Sequence, residues 1–164
     1  MKSLIENFLQ NKNFYLSLVG EHLFITMVAI TIAIIVGVAV GVVISEKRKI
    51  AGIVISIVNV LYTIPSIALL GVLISVTGIG NKTAIIALTL YALLPVVRST
   101  YTGIVNIDEK IVEASEAMGS TKFQTMYKVK LPLAFPVIFS AIRNMVTMTI
   151  ALAGIASFVG AGGL

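Results

Sequence analysis

The sequence predicts an all-α, polytopic membrane domain, and three observations support that prediction. Of the 164 residues, 58% are hydrophobic and only 12% are charged, with a mean hydropathy of +1.06. Soluble domains carry about 25% charged residues, and a soluble chain this small has too little interior to hide so much apolar surface. The apolar residues also gather into long runs, each able to cross a hydrocarbon core about 30 Å thick. Finally, the basic residues of the connecting segments are shared unequally between alternate segments.

Residues 1–20 mix Lys2, Glu6, Asn7, Asn11 and Lys12 with Leu4, Ile5, Phe8, Leu9, Tyr15 and Leu16. That mixture predicts a surface helix lying at the membrane interface. Leu23–Ile44 carries no charge and spans about 33 Å as a helix, so it is the first predicted span. Within it Ala33, Gly37 and Gly41 recur at every fourth position. They make a smooth ridge that a second helix can approach closely, although glycine is also simply tolerated in membrane helices. Glu46-Lys47-Arg48-Lys49 closes this span, and Ile50–Val76 is the second run. Pro65 lies inside it and removes a backbone donor, so a kink or break is expected near Thr63–Ser66. Broken helices persist in membranes where protein or a wet cavity covers the freed carbonyls. Pro65 is therefore a candidate for the translocation path, with a purely structural kink as the alternative.

Thr77-Gly78-Ile79-Gly80-Asn81 reads as a tight turn. The third span is Thr83–Val105, with Pro95 in its second half and Arg98 near its far end, where it can snorkel to the interface. Residues 106–131 are polar and helical. Asn106 with Glu109 reads as a capping box, the helix runs to Met118, and Gly119 supplies a left-handed stop. Thr121 with Gln124 repeats the capping signature, and a second short helix runs to Leu131 before Pro132. Two short helices joined by a glycine make a compact elbow. The fourth span is Leu133–Phe158, with Pro136 in its first turn. The chain ends on Val159-Gly160-Ala161-Gly162-Gly163-Leu164 without a polar tail, and the sequence is expected to be truncated there.

Lysine and arginine mark the cytoplasmic side. One side holds Lys47, Arg48, Lys49, Lys110, Lys122, Lys128 and Lys130; the other holds Lys2, Lys12 and Lys82. The elbow is therefore expected in the cytoplasm and the N-terminus outside. The net charge of +5 serves topology, because no basic run has the interleaved aromatics of a nucleic-acid binder. Cysteine is absent and His22 is the single histidine, which leaves no thiolate nucleophile or metal cluster. Walker A is missing: Gly80-Asn81-Lys82-Thr83 lacks the glycine directly before lysine. Glu6, Glu21, Glu46, Asp108, Glu109, Glu113 and Glu116 all fall at loops or helix ends, so no buried carboxylate offers a proton relay.

The elbow carries the sharpest motif. Glu113-Ala114-Ser115, then Gly119, then Val129-Lys130-Leu131-Pro132 resembles the cytoplasmic signature of bacterial ATP-binding-cassette (ABC) importer permeases. In that signature Glu-Ala-Ala is followed after three residues by Gly, and after nine more by Ile-x-Leu-Pro. Ser115 and Val129 are mild departures, and every spacing agrees. Further stretches are similar to the osmoprotectant branch of those permeases, which serves glycine betaine, carnitine, choline or proline betaine uptake. They are Gly20-Glu21-His22-Leu23, Tyr62 through Gly71, Gly78-Ile79-Gly80, Leu94 through Arg98, Tyr101 through Ile104, and Phe158 through Leu164. Methionine and ergothioneine importers share much of this framework.

The resemblance implies a type I ABC importer fold of the methionine-permease kind, in a bacterial or archaeal plasma membrane. It implies a partner ATPase that holds ATP and magnesium, no cofactor on this chain, a second permease subunit (identical or not), and an external solute-binding protein or domain. At least one more helix is expected after Leu164. The expected ATPase-coupling residues are Glu113, Ala114, Ser115, Glu116, Ala117, Gly119, Phe123, Leu131 and Pro132. Small Ala114, Ser115 and Ala117 permit close packing, and Glu113 and Glu116 suit basic groups on the ATPase. Phe123, Met126 and Tyr127 either dock or pack inward. Tyr62, Pro65, Tyr91 and Arg143 are the candidates for the translocation path. Aromatic faces attract a quaternary ammonium, while ordinary packing is the other reading of the two tyrosines. Arg143 lies about 16 Å up the helix from Pro132. It faces a wet cavity, binds carbonyls, pairs with another subunit or sits near the interface. An amino-acid importer is the nearest alternative. An ATPase-independent channel or ion-coupled carrier, and a non-transporting scaffold, are the rivals from other classes.

Overall fold

The structure is a computed structural model, and it describes residues 10–157 and 160–162. Hydrocarbon offers peptide groups no partner, so each segment must satisfy its own backbone. The Ile- and Val-rich runs accordingly fold as helices despite their strand propensity. In chain order these are α1 (Lys12–Glu46), α2 (Arg48–Thr63), α3 (Ser66–Thr77), α4 (Asn81–Val105), α5 (Glu109–Ala117) and α6 (Lys122–Thr125). A π-helical turn (Met126–Lys130) then leads into α7 (Leu131–Ala156). Several serine and threonine hydroxyls inside the spans donate to carbonyls of their own helix, as Thr26 does to His22 and Thr149 to Met145. Those polar side chains are thereby satisfied in place.

Among the described residues, three helical stretches are long and apolar enough to cross a membrane: Lys12–Glu46, Asn81–Val105 and Lys122–Ala156. Packing gives their directions. Ile25 and Ala29 of α1 meet Ala84 and Leu88 of α4, and Ile30 and Ala33 meet Ala92 and Val96. The two helices are therefore parallel. Helix α7 runs the other way, since Ala153 and Ala156 join the first cluster, Met145 the second, and Ala134 and Ile138 meet Ile104 at the far end.

Chain connectivity then requires a return from Glu46 to Asn81, and α2 with α3 makes it. Ala51 and Val58 of α2 pack on Ile44, Leu94 and Val97. The α2 and α3 axes bend by 98° at the break. The backbone is extended at Ile64 and Pro65, with ψ of 125° and 136°. Pro65 thus breaks the second run outright. The Tyr91 hydroxyl donates to the Ile64 carbonyl exposed there, which answers the need for a protein group over the freed backbone.

The ridge of small residues is the core of the bundle. Ala33, Gly37 and Gly41 are buried and lie against Ala92, Val96 and Thr100, which are also spaced by four. A Cβ at Gly37 would stand 2.8 Å from Val96 Cγ1, and one at Gly41 would stand 2.5 Å from Thr100 Cβ. Both neighbours are β-branched and stiff at χ1, so neither can swing away.

The first predicted boundary needs correction. Residues from Lys12 onward do not form a separate interfacial helix but open α1, which continues unbroken to Glu46. Glycine or proline would have been needed to separate the two parts, and Gly20 alone, with nothing within 4 Å of a Cβ there, does not stop a helix. Residues 1–9 of the predicted interfacial segment lie outside the described residues.

Gly41→Ala should lower the thermal stability of the purified protein, at a cost of about 1–3 kcal/mol for the overpacked α1–α4 contact. Gly71→Ala, where a Cβ meets open space, should leave the melting temperature unchanged or slightly raised. Fluorescence-detected melting of the two variants beside the parent checks this.

Candidate coupling elbow and translocation path

The elbow is built by local signals at each joint. Helix α4 ends on Asn106, whose N–H reaches the Thr102 carbonyl. Asn106 is therefore a C-terminal residue of α4, and the predicted capping box with Glu109 does not form. Asp108 caps α5 instead, accepting from the Lys110 N–H at 3.0 Å. At the other end, the Gly119 N–H bonds to the Glu116 carbonyl and the Ser120 N–H to the Ser115 carbonyl. That pair of bonds is a Schellman stop. It requires the left-handed conformation that Gly119 adopts, with φ of +88°, where any other residue is strained. The Thr121–Gln124 capping box is present in both directions, at 3.3 Å and 2.9 Å.

The second elbow helix is not a separate piece. Lys122–Ala156 forms one helical run, with the π turn where the sequence suggests an interruption. Pro132 lacks an N–H, and its ring crowds the carbonyl four residues back. The chain accommodates it by widening one turn: the Leu131 N–H bonds to the Met126 carbonyl, five residues away. The fourth span therefore starts inside the elbow rather than at Leu133. Phe158, at its predicted far end, lies outside the described residues.

The predicted coupling residues separate into two sets. Ser115 is only 3% exposed, and its hydroxyl meets that of buried Thr125 at 3.3 Å. Its small size is needed for α5 to seat on α6, so Ser115 packs the elbow itself. Leu131 is half-buried beside Ile104, Met126, Ala134 and Ile138. Met126 packs inward with them. Glu113, Ala114, Glu116, Ala117, Gly119, Phe123 and Pro132 are all exposed. Phe123 (70% exposed) lies against exposed Tyr127, with ring centroids 4.4 Å apart. Met118, which the motif did not single out, is 82% exposed at the tip. Its signal was its place between Ala117 and the turn glycine. A contact of 3.9 Å between Lys130 Nζ and Glu46 Oε1 links the elbow to the end of α1.

Farther along the bundle, the path candidates only partly converge. Tyr62 and Tyr91 meet edge to face, with centroids 6.3 Å apart. Tyr91 is buried and serves the break, whereas Tyr62 is exposed, as is Pro65. The Tyr62 hydroxyl donates to Met148 Sδ of α7 at 3.4 Å. Tyr62 also lines a cavity of about 240 Å³ with Asn59, Leu94, Pro95, Arg98 and Ser99. Arg98, read from the sequence as near the far end of its span and able to snorkel, lines this cavity about 10 Å short of the end of α4. Asn59, one helical turn before Tyr62, was the overlooked signal, a lone amide in an apolar run. Arg143 is on the exposed face of α7 and does not join these residues. Its neighbour Met145 packs with Ala33 and Ala92, so Arg143 sits at the middle level of the bundle.

Comparison with known proteins agrees with this architecture. Residues 16–164 match the family described as "Binding-protein-dependent transport system inner membrane component". The carnitine transport permease protein OpuCD of Listeria monocytogenes is 40% identical over 164 residues, covering 100% of this chain and 74% of that protein. The choline transport system permease protein OpuBD of Bacillus subtilis is also 40% identical, over 100% and 73%. The osmoprotectant import permease protein OsmW of Salmonella typhimurium is 40% identical, over 98% and 77%. Among solved structures, the inward-facing MetNI methionine ABC transporter superposes with a TM-score of 0.80 at 30% identity, covering 91% of this chain and 76% of that one. The chain is thus an all-α membrane permease of the type I ABC importer kind, and it belongs to the family of binding-protein-dependent transport system inner-membrane components.

Proposed function

We propose that this permease moves a quaternary-amine compatible solute, of the glycine betaine, carnitine and choline class, into the cell at the expense of ATP hydrolysed by a separate subunit. The relatives named for carnitine, choline and osmoprotectant transport, each 40% identical over nearly all of this chain, carry the reading. Two permease domains, identical or not, enclose the path. Two ATPases seat on the elbows and hold the ATP and magnesium, while this chain binds no cofactor. A solute-binding protein or domain docks on the outer face, the side of the N-terminus. The unequal sharing of lysine and arginine supports that orientation.

The elbow's construction supports its role in coupling. Exposed Met118, Phe123 and Tyr127 offer an apolar seat, with Glu113 and Glu116 exposed beside them for basic groups. A push on Phe123 acts on the first turn of a helical run that continues to Ala156, so displacement becomes tilt of a span without a slack loop between. A methionine-type amino acid is the second reading, favoured by the likeness to the MetNI transporter.

Reconstituted complex supplied with labelled glycine betaine, carnitine, choline and methionine should accumulate the quaternary amines in an ATP-dependent manner. Methionine uptake alone would favour the second reading, and uptake without an ATPase would reject both. Gly119→Pro should insert normally but lose uptake by a factor within the about 5–150-fold range of ordinary coupling energies, while ATP hydrolysis continues. Because proline cannot adopt φ near +88°, unchanged uptake would refute the elbow's part. The absence of cysteine allows a clean topology test. Met118→Cys should react with an impermeant maleimide only from the cytoplasmic side, and Ile79→Cys only from outside.

A further inference from the structure

The cavity beside the α2–α3 break contains a cation for which neither the fold nor the elbow has a use. Arg98 is exposed to it, and among the described residues the guanidinium has no ion pair, the Lys130–Glu46 contact being the only one. No acid lines the cavity. Arg98 is about 9 Å along α4 from Ala92, which sits at the middle level of the bundle. An unpaired charge within a membrane-spanning helix faces water or an anion and marks a pathway.

The opposite wall is suited to the other sign of charge. Tyr62 presents a half-exposed ring and is held by two contacts, an inclined ring contact with Tyr91 and the bond to Met148 Sδ. A ring fixed in this way attracts a quaternary ammonium through its face. Tyr62 and Asn59 also occupy the last turns of α2, which ends at Thr63, and the C-terminal end of a helix is the negative end of its dipole. The space of about 240 Å³ suits a small solute better than a drug-sized one.

We propose that this cavity is a transit site for a small zwitterion, with its carboxylate on Arg98 and its quaternary ammonium over the ring of Tyr62. The assignment rests on the compatible-solute reading above and extends it: the permease itself distinguishes solutes with a carboxylate from those without. Asn59 and Ser99 supply neutral polar contacts between the two poles. Binding at such an open site is weak, so that the solute can leave again.

The test uses the complete importer without its binding protein, so that only the permease contacts solute. Asn59→Cys places one thiol in a chain that has none, and its rate of maleimide labelling reports occupancy of the cavity. Glycine betaine should slow labelling at a concentration about tenfold lower than its methyl ester, which keeps the ammonium and lacks the carboxylate charge. That comparison requires no change at Arg98. Arg98→Gln should erase the difference, Arg98→Lys should restore part of it, and Tyr62→Leu should weaken protection by both solutes. Equal protection by betaine and its ester in the presence of Arg98, or no protection by either, would overturn the assignment. Protection of betaine type that survives Arg98→Gln would overturn it as well. Failure of the compatible-solute reading appears separately, as absence of uptake by the same complex with its binding protein present.

Discussion

A hydrocarbon solvent gives a peptide group nothing to bond to, and that constraint organises this molecule from end to end. It turns β-branched runs into helices and makes many threonines and serines, Thr26 and Thr149 among them, bond back to their own helix. It also explains where irregular backbone is tolerated. At the α2–α3 break the extended Ile64–Pro65 segment survives because the Tyr91 hydroxyl covers the Ile64 carbonyl. At Pro132 a missing donor is absorbed by one wider turn rather than by an open loop. At both of these places the bundle departs from simple crossing rods.

Close approach of backbones supplies the second organising influence. With lipid on the outside, apolar contact between helices gains little over contact with lipid, so shape must hold the bundle. Small residues spaced by four on both α1 and α4 bring these parallel helices together, and Gly103 does the same for α4 and α7 against Ala134. The result is a tightly packed unit of α1, α4 and α7 with the bent α2–α3 pair along its flank. The cavity with Arg98 and Tyr62 forms where that flank meets α4.

Much of this was legible in the sequence because it depends on single residues with one physical effect. The long apolar helices, the small-residue ridge, the break at Pro65, the left-handed Gly119 and the Thr121–Gln124 box all belong here. The unread parts involve competition. Asn106 has a capping side chain, but α4 had already claimed it for its own end, leaving Asp108 to start α5. Pro132 reads as a break in any linear scan, and only the packing of Met126 and Leu131 on Ile104 shows why the helix widens instead. Ser115 and Glu113 look alike in a motif, yet one is buried and the other exposed. Arg98 was read by its distance from a helix end, whereas its surroundings come from α2, distant in the chain.

The wider turn at Met126–Lys130 has a geometric corollary. Each residue advances a helix by about 100° in azimuth, and a π turn holds one residue more than its α counterpart. The stretch bearing Phe123 is therefore rotated by roughly that angle from where an unbroken α-helix through Ala156 would have aimed it. The compass bearing of the surface that the elbow exposes is set by this single extra residue, independently of which side of α7 is buried among its neighbours. Gaining or losing one residue there would re-aim that surface while leaving the packing of the spans in place.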